Sequence, residues 1–271
     1  MNILEKIVQH KRKEVSQRRD LYPVKLLEQS IYFQTPAVSM TKYLLRPDKS
    51  GIIAEFKRRS PSKGDINPYA SVEQVTIGYM QAGASGLSVL TDKAFFGGKN
   101  DDLTQARTFN FCPILRKDFI IDEYQILEAR SIGADVILLI AECLDRGRLK
   151  ELARFAKDLG LEVLMEIHSA EQLAKANEFV DIVGVNNRNL KDFTVDIQTS
   201  LDLFDEIPSD FVKISESGIS DPNAIIQLKE RGFKGFLIGE YFMQDDAPHK
   251  RCRKFIEKIR FMEDNLKNAI A

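Results

Sequence analysis

Short apolar runs alternate with amphipathic stretches from Ile52 to the end of this 271-residue chain. The runs are rich in β-branched residues and have the length of buried strands. The stretches between them carry apolar residues at the three- and four-residue spacing of a helix. The eight predicted strands are IIAEFK, GLSVLT, PILRK, DVILLIA, EVLMEI, DIVGVN, FVKISE and GFLIGE.

The order of these elements predicts the fold class. Repeated strand-then-helix units with nearly continuous apolar strands are typical of a parallel sheet covered by helices. Eight such units close into an α/β TIM (β/α)8 barrel. An open doubly wound sheet is the main alternative, but it favours a GxGxxG turn after an early strand, which the sequence lacks. Several predicted helices end on a glycine, the usual helix stop: Gly83, Gly133, Gly160 and Gly232.

Residues 1–50 do not follow this repeat. The segment KRKEVSQRR, with the apolar residues around it, predicts an amphipathic helix with a solvated basic face. TPAVSMTKYLL predicts a second helical stretch. Because no linker rich in Pro, Gly or Ser follows, we predict a single barrel domain over residues 1–271, with residues 1–50 as a helical extension packed on the barrel.

Composition narrows the classes of function. Hydrophobic residues make up 44% and charged residues 29% of the chain, which is typical of a packed core. The net charge of -1 predicts no nucleic-acid or membrane partner. Three distant cysteines, no signal peptide and no long apolar run favour a cytoplasmic protein without disulfides. No metal or cofactor is predicted, since the sequence has no HExxH motif, paired His or Asp-rich loop.

Polar residues end each predicted strand, where a barrel places its active site. Ile53, Glu55 and Lys57 occupy every second position of the first strand, so their side chains share one inward face. Carboxylates and ammonium groups that converge on one mouth supply proton donors and acceptors and reduce the cost of burying each charge. The strand-end set is Glu55, Lys57, Thr91, Asp92, Lys117, Glu142, Glu166, Asn186, Arg188, Glu216, Ser217, Gly239 and Glu240.

The last two strand ends predict a phosphate site. Gly218 and Gly239 follow the seventh and eighth strands, where barrels often bind phosphate through backbone N–H groups. Ser217 adds a hydroxyl donor, and Arg188 and Lys57 add positive charge. The residues themselves therefore indicate a phosphate-binding barrel with acid/base chemistry.

Other residues near the strand ends allow two interpretations. Some are either site groups or strand-end caps and ion-pair partners: Thr91, Asp92 and Glu142. Some either flank a planar substrate group or belong to the core: Pro61, Phe95, Phe96 and Phe119. His168 directly follows the fifth strand, but it lacks an Asp or Ser companion in an obvious arrangement, so we interpret it as incidental.

Several segments in order resemble the indole-3-glycerol phosphate synthase family of tryptophan biosynthesis: IIAEFKRRSPSKG, SVLTDKAFF, PILRKDFIIDEYQI, EVLMEIHS, VGVNNRNL, ISESGI and LIGEYFM. The resemblance covers roughly the whole chain and is most specific in the E-x-K-x-x-S-P-S and R-K-D-F segments. It implies a carboxy-lyase on a barrel. The substrate would be 1-(2-carboxyphenylamino)-1-deoxyribulose 5-phosphate, which closes to the indole with loss of CO₂ and water.

The resemblance also implies residue roles. Lys117 would be the general acid on the carbonyl that the aryl carbon attacks, and Glu166 would take part in the proton transfer that expels water. Other groups would support the proton network, contact substrate or orient donors: Glu55, Lys57, Asn186 and Glu216. The phosphate would lie among Arg188, Ser217, Gly218, Gly239 and Glu240. Further substrate contacts would come from Ser60, Pro61, Lys63, Phe96 and Phe119, with Lys63 also assisting proton transfer.

The sequence departs from the family at two places. Tyr241 stands where a small hydroxyl residue is common, and Gly98-Lys99 stands where Gly-Ser is common. Two other functions stay open at this point: a phosphoribosyl-amine isomerase of the phosphoribosylanthranilate type on the same barrel, which would release no CO₂, and a non-catalytic binding subunit. We expect a monomer that acts on a phosphorylated small molecule, with association with other tryptophan-pathway enzymes as a further expectation.

Overall fold

A computed structural model describes residues 3–189 and 194–270. Its helices are α1 (Ile3–Leu21), α2 (Val24–Leu27), α3 (Met40–Leu44), α4 (Val72–Gln81), α5 (Asn100–Phe109), α6 (Glu123–Ser131), α7 (Arg146–Asp158), α8 (Ala170–Leu173), α9 (Gln198–Leu203), α10 (Pro222–Arg231), α11 (Glu240–Met243) and α12 (Pro248–Ile270). Its strands are β1 (Ile52–Phe56), β2 (Arg59–Ser60), β3 (Gly64–Asp65), β4 (Gly86–Leu90), β5 (Ile114–Lys117), β6 (Val136–Ile140), β7 (Glu162–Ile167), β8 (Ile182–Asn186), β9 (Val212–Glu216) and β10 (Gly235–Ile238).

Eight strands form a closed parallel barrel, which confirms the predicted fold. Strand β1 pairs with both β4 and β10, and the strands between them follow in chain order. The remaining two, β2 and β3, form a small antiparallel hairpin in the loop after β1. Within the described ranges, no helix is both long and apolar enough to cross a membrane.

The barrel interior and its outer surface are two separate apolar layers. Alternate strand residues point inward, and Ile53, Leu115 and Leu164 belong to one buried cluster inside the barrel. The other strand positions pack against the surrounding helices in a larger cluster that includes Ile52 and Leu87. This alternation carries the side chains at the C-terminal strand ends into one shared mouth.

Helix α3 closes the opposite, N-terminal end of the barrel. Met40 and Leu44 belong to the interior cluster. The carboxylate of Glu162, at the start of β7, accepts hydrogen bonds from the backbone N–H groups of Met40 (2.7 Å) and Thr41 (3.1 Å). These are free donors of the first helical turn, so a residue far along the chain caps α3.

Helix α1 lies across the mouth of the barrel. Its Lys11 is 1% exposed and forms ion pairs of 2.9 Å with Asp92 and of 2.9 Å with Asp118, which follow β4 and β5. Ile3, Leu4 and Ile7 line the pocket beneath. The extension therefore covers both ends of the barrel, α1 at the mouth and α3 at the base.

Some elements differ from the sequence expectation. The predicted helix in TPAVSMTKYLL is restricted to α3, because Ser39 caps the helix by accepting a hydrogen bond from the Lys42 N–H at 3.1 Å. The stretch AEQLAKANEF is helical only over α8 and continues in turns. At Gly83 and Gly133 the backbone φ is 97° and 94°, the left-handed conformation expected of glycine helix stops.

Candidate active site

A pocket of about 140 Å³ lies at the mouth of the barrel, and we call it the mouth pocket. Most of the predicted site residues line it: Glu55, Lys57, Ser60, Pro61, Phe96, Lys117, Phe119, Glu166, Asn186, Arg188, Glu216, Ser217 and Glu240. Lys63 lies outside this set, exposed in the turn of the β2–β3 hairpin. Convergence of charged groups from six strands matches the expectation that the strand ends feed one site.

Lys117 lies between two buried carboxylates. Its Nζ donates hydrogen bonds to Glu166 Oε2 (2.8 Å) and to Glu216 Oε2 (2.7 Å). Burial opposes the charge of the ammonium group, but the carboxylates of Glu166, Glu216 and Glu55 outweigh it and raise the pKa of Lys117 above its ordinary value. Lys117 is therefore protonated at neutral pH and supplies a proton donor at the centre of the mouth.

The two carboxylates around Lys117 have different proton affinities. Burial and the nearby Glu166 raise the pKa of Glu216 to about 7, although Lys117 opposes this. Burial acts in the same direction on Glu166, but the ammonium of Lys117 and then His168 lower its pKa below the ordinary value. Two carboxylic acids whose pKa values differ in this way provide one group that stays charged and one that titrates near neutrality. This is the combination that acid/base catalysis requires.

Glu55 and Lys57 form a second charged pair in the mouth. Lys57 Nζ lies 3.0 Å from Glu55 Oε1, and the Ser88 hydroxyl donates to Glu55 Oε2 at 3.2 Å. Ser88 is the β4 residue in register with Glu55 on β1. The inward face predicted for Glu55 and Lys57 above Ile53 agrees with these contacts.

Two glycines make room for the carboxylates. A Cβ on Gly184, in β8, would overlap the Glu216 carboxylate, and a Cβ on Gly239 would overlap that of Glu55. The sequence interpretation assigned Gly239 to phosphate binding only. A glycine inside the apolar run DIVGVN is the signal for such a close approach at Gly184.

A second pocket of about 250 Å³ adjoins the mouth pocket, and it is lined by Lys57, Arg188, Ser217, Gly218, Gly239, Glu240 and Tyr241, among others. We call it the glycine pocket. Ser217 and Gly218 both have positive φ, 70° and 72°. This conformation is costly for serine and marks a constrained loop. Arg188 Nη2 lies 3.1 Å from Glu240 Oε2, so in this structure a carboxylate occupies the partner position of the guanidinium.

Asn186 lines the mouth pocket and links Glu166 to the backbone of Arg188. Its side-chain amide donates to Glu166 Oε1 at 3.0 Å, and its Oδ1 accepts from the Arg188 backbone N–H at 3.0 Å. Tyr241, the departure from the family pattern, lines the glycine pocket with the Arg251 guanidinium 4.0 Å from its ring centroid. The position of Asn186 thus ties the acid/base cluster to the pocket that carries Arg188.

Other predicted residues have mixed positions. The rings of Phe96 and Phe119 lie 5.9 Å apart at 37° and both line the mouth pocket. Asp92 accepts from the backbone N–H groups of Phe95 (2.7 Å) and Phe96 (3.1 Å), as expected of a strand-end cap. In the part of the chain that the structure describes, no three His, Cys, Asp or Glu side chains group as metal ligands would.

Sequence reasoning missed the contribution of α1. Ile3, Leu4 and Ile7 form an apolar wall of the mouth pocket. The interpretation of KRKEVSQRR as a solvated basic face was wrong at Lys11, which is buried on the carboxylates of Asp92 and Asp118. A lysine that follows Ile7 at a four-residue spacing, within the apolar stripe of the helix, is the signal that was available.

The fold and the site together define a (β/α)8-barrel enzyme with an acid/base cluster and an adjoining cationic pocket lined by glycines. A family model described as indole-3-glycerol phosphate synthase matches residues 4–255. The chain belongs to the indole-3-glycerol phosphate synthase family, as the sequence segments predicted.

Curated relatives cover nearly the whole chain. An indole-3-glycerol phosphate synthase of Bacteroides thetaiotaomicron is 48% identical over 259 residues, which are 96% of this chain and 99% of that protein. One from Caldanaerobacter subterraneus subsp. tengcongensis is 41% identical over 260 residues, 95% of this chain and 99% of that protein.

Solved structures at low identity share the fold alone. The 3-hexulose-6-phosphate synthase of Salmonella typhimurium superposes with a TM-score of 0.61 at 11% identity and covers 77% of this chain and 98% of that one. A chain of the tryptophan synthase complex from Pyrococcus furiosus gives a TM-score of 0.57 at 15% identity, covering 78% of this chain and 98% of that one.

Proposed function

We propose that the chain catalyses the ring closure of 1-(2-carboxyphenylamino)-1-deoxyribulose 5-phosphate to indole-3-glycerol phosphate, with loss of CO₂ and water. The observation that carries this proposal is Lys117, held between Glu166 and Glu216 at the mouth and beside the glycine pocket. A substrate with a ketone, an aryl carboxylate and a phosphate needs a proton donor at its centre and an anion site at one end. Family membership supports the same reaction.

In the first step, the aryl carbon that bears the carboxylate attacks the ketone carbon. Negative charge grows on the carbonyl oxygen, and Lys117 Nζ transfers a proton to it. The carboxylate then leaves as CO₂ and returns its electron pair to the ring. Lys117 is suited to this role because its ammonium group is fully charged and already donates into the mouth.

The second stage expels water. The new hydroxyl leaves with a proton from a nearby ammonium group, and Glu166 accepts the proton that the five-membered ring loses. A carboxylate with a lowered pKa is ionised and ready to accept. Glu216 and Glu55 hold the lysines of the cluster in place, and Asn186 holds Glu166.

The phosphate end of the substrate would bind in the glycine pocket. Arg188 and Lys57 supply positive charge there, and the loop at Ser217 and Gly218 supplies backbone donors. Binding would move Arg188 from Glu240 to the phosphate. Phe96 and Phe119 would flank the aromatic ring, Ser60 and Pro61 would cover it, and Lys63 would assist from the hairpin.

We further propose that residues 1–271 act as a single domain, with residues 1–50 as its extension, because α1 supplies an apolar wall of the mouth pocket. A monomeric, cytoplasmic enzyme is the simplest form consistent with the composition. Association with other enzymes of tryptophan biosynthesis would be an additional property.

The deciding experiment is incubation of the purified chain with the carboxyphenylamino-deoxyribulose phosphate, following indole absorbance and released CO₂ together. Both signals should appear in equal amounts. An isomerase would change the substrate without CO₂, and a non-catalytic subunit would bind it without either signal. Any of these results without indole would overturn the proposed function.

A further inference from the structure

The proposed reaction consumes a proton in every turnover. The substrate carries a carboxylate that departs as neutral CO₂, and the water lost is also neutral. One negative charge therefore disappears, and one proton has to enter from solvent to balance it. A group that links the buried cluster to water would replace the proton that Lys117 gives up.

His168 lies at the position where such a group is needed. It directly follows β7, two residues after Glu166, and its Nε2 is 3.7 Å from Glu166 Oε1. Both ring nitrogens are buried, and neither has a hydrogen-bond partner among the described residues. Buried polar atoms without partners are rare and call for an explanation.

The backbone of His168 is held firmly while its ring is not. The His168 N–H donates to Gln172 Oε1 at 2.8 Å, and Gln172 in turn donates to the Glu142 carboxylate. These contacts hold the loop after β7 through its backbone, whereas no hydrogen bond among the described residues holds the imidazole ring. Nε2 lies 3.7 Å from Glu166 Oε1, so a displacement of about 0.5 Å would bring it into hydrogen-bond distance.

His168 also lines a further pocket of about 410 Å³, which we call the polar pocket. Its lining includes the polar residues Glu142, Ser169, Gln172, Asp196 and Thr199. Asn186, Arg188 and His168 belong to the lining too, so the polar pocket borders the acid/base cluster. Polar walls of this kind hold water.

We propose that His168 relays the proton consumed in each turnover from the polar pocket to the Glu166–Lys117 pair. The imidazolium gives its Nε2 proton to the ionised Glu166 at Oε1, the carboxyl group turns about its Cγ–Cδ bond, and the same proton passes to the neutral Lys117 Nζ, which lies 2.8 Å from Glu166 Oε2. His168 then takes a proton from water in the polar pocket. No bond other than N–H and O–H bonds changes, and the proton count balances.

The test replaces His168 by Asn, with the exposed His10→Asn as the matched control. Because water can replace a relay only in part, we expect turnover to fall about ten- to a hundredfold while the Michaelis constant stays within about twofold. Added imidazole should restore turnover in proportion to its concentration, and it should leave the wild type and His10→Asn unchanged.

A merely structural role for His168 would produce a different result. A folded variant that keeps wild-type turnover, or loses turnover without rescue by imidazole, would overturn the relay. If His168→Asn fails to fold, His168→Gln, with a longer polar side chain, is tested in the same way.

The inference rests on the proposed function, and the two fail separately. If the wild type forms no indole and CO₂, the proposed function fails. If the wild type forms both and the His168 variants are unaffected, only the relay fails.

Discussion

Removal of the Lys117 ammonium should lower turnover far more than substrate affinity. In Lys117→Met the donor that neutralises the carbonyl oxygen is lost, and this interaction exists mainly in the transition state. General-acid catalysis is commonly worth 10² to 10⁴ in rate, so we expect a loss of about that size, or roughly 3 to 5 kcal/mol of barrier. Single-turnover formation of the indole chromophore is the appropriate assay, because slow product release would hide part of the effect.

Loss of Lys117 also affects the stability of the fold, so folding and catalysis have to be separated by the choice of variants. Lys117→Met also leaves the carboxylates of Glu166 and Glu216 buried without their shared cation, which costs about 3 to 5 kcal/mol of stability. Lys117→Arg keeps the positive charge but holds its proton too firmly to act as an acid, so it should fold and remain slow. Lys254→Met, at an exposed position of α12, is the matched control and should cyclise normally.

Retained activity in either variant would contradict the role of Lys117 as general acid. If Lys117→Met or Lys117→Arg forms indole at a rate near that of the wild type, Lys117 is a structural or binding residue. The general acid would then be sought at Lys57 or Lys63.

Three further changes test other parts of the site. Arg188→Ala should raise the Michaelis constant about ten- to a hundredfold because it removes a contact worth about 1.5 to 3 kcal/mol, and inorganic phosphate should compete with substrate. If the Michaelis constant is unchanged and phosphate does not compete, Arg188 is not part of the phosphate site. Lys11→Met should lower the free energy of unfolding in urea by about 3 to 5 kcal/mol, whereas Lys13→Met, at an exposed position, should change it by less than about 0.5 kcal/mol. If the two variants are equally stable, the buried ion pairs of Lys11 do not stabilise the fold. Gly184→Ala should displace the Glu216 carboxylate and lower turnover about ten- to a hundredfold, with Gly147→Ala as the control. If turnover is unchanged, the close approach of Glu216 to Gly184 is not required.

The barrel could be predicted from the sequence because its signals are local. An apolar run with Glu55 and Lys57 on the same face as Ile53 specifies both a strand and the direction of its end groups. The same alternation placed Lys117 and Glu166 in the mouth, where the structure has them. Alternation within one strand predicts the direction of these side chains without information from the rest of the chain.

Other features depended on residues far apart in the chain. Helix α3 begins at Met40 because Ser39 and Glu162 cap it, and Glu162 lies on another element. Lys11 resembles its basic neighbours in the sequence, and only the folded chain brings Asp92 and Asp118 to it. Their contacts could not be read from periodicity, which describes one element at a time.

The position of the extension has a consequence for the order of assembly. During synthesis α1 and α3 leave the ribosome before every strand that they cover. The partners of α3 include Glu162 at the start of β7 and Gly235 at the start of β10, the last strand. The base of the barrel therefore cannot be sealed until nearly the whole chain has emerged. Helix α3 is therefore made early but reaches its final position late, and until then the base of the barrel stays open to water.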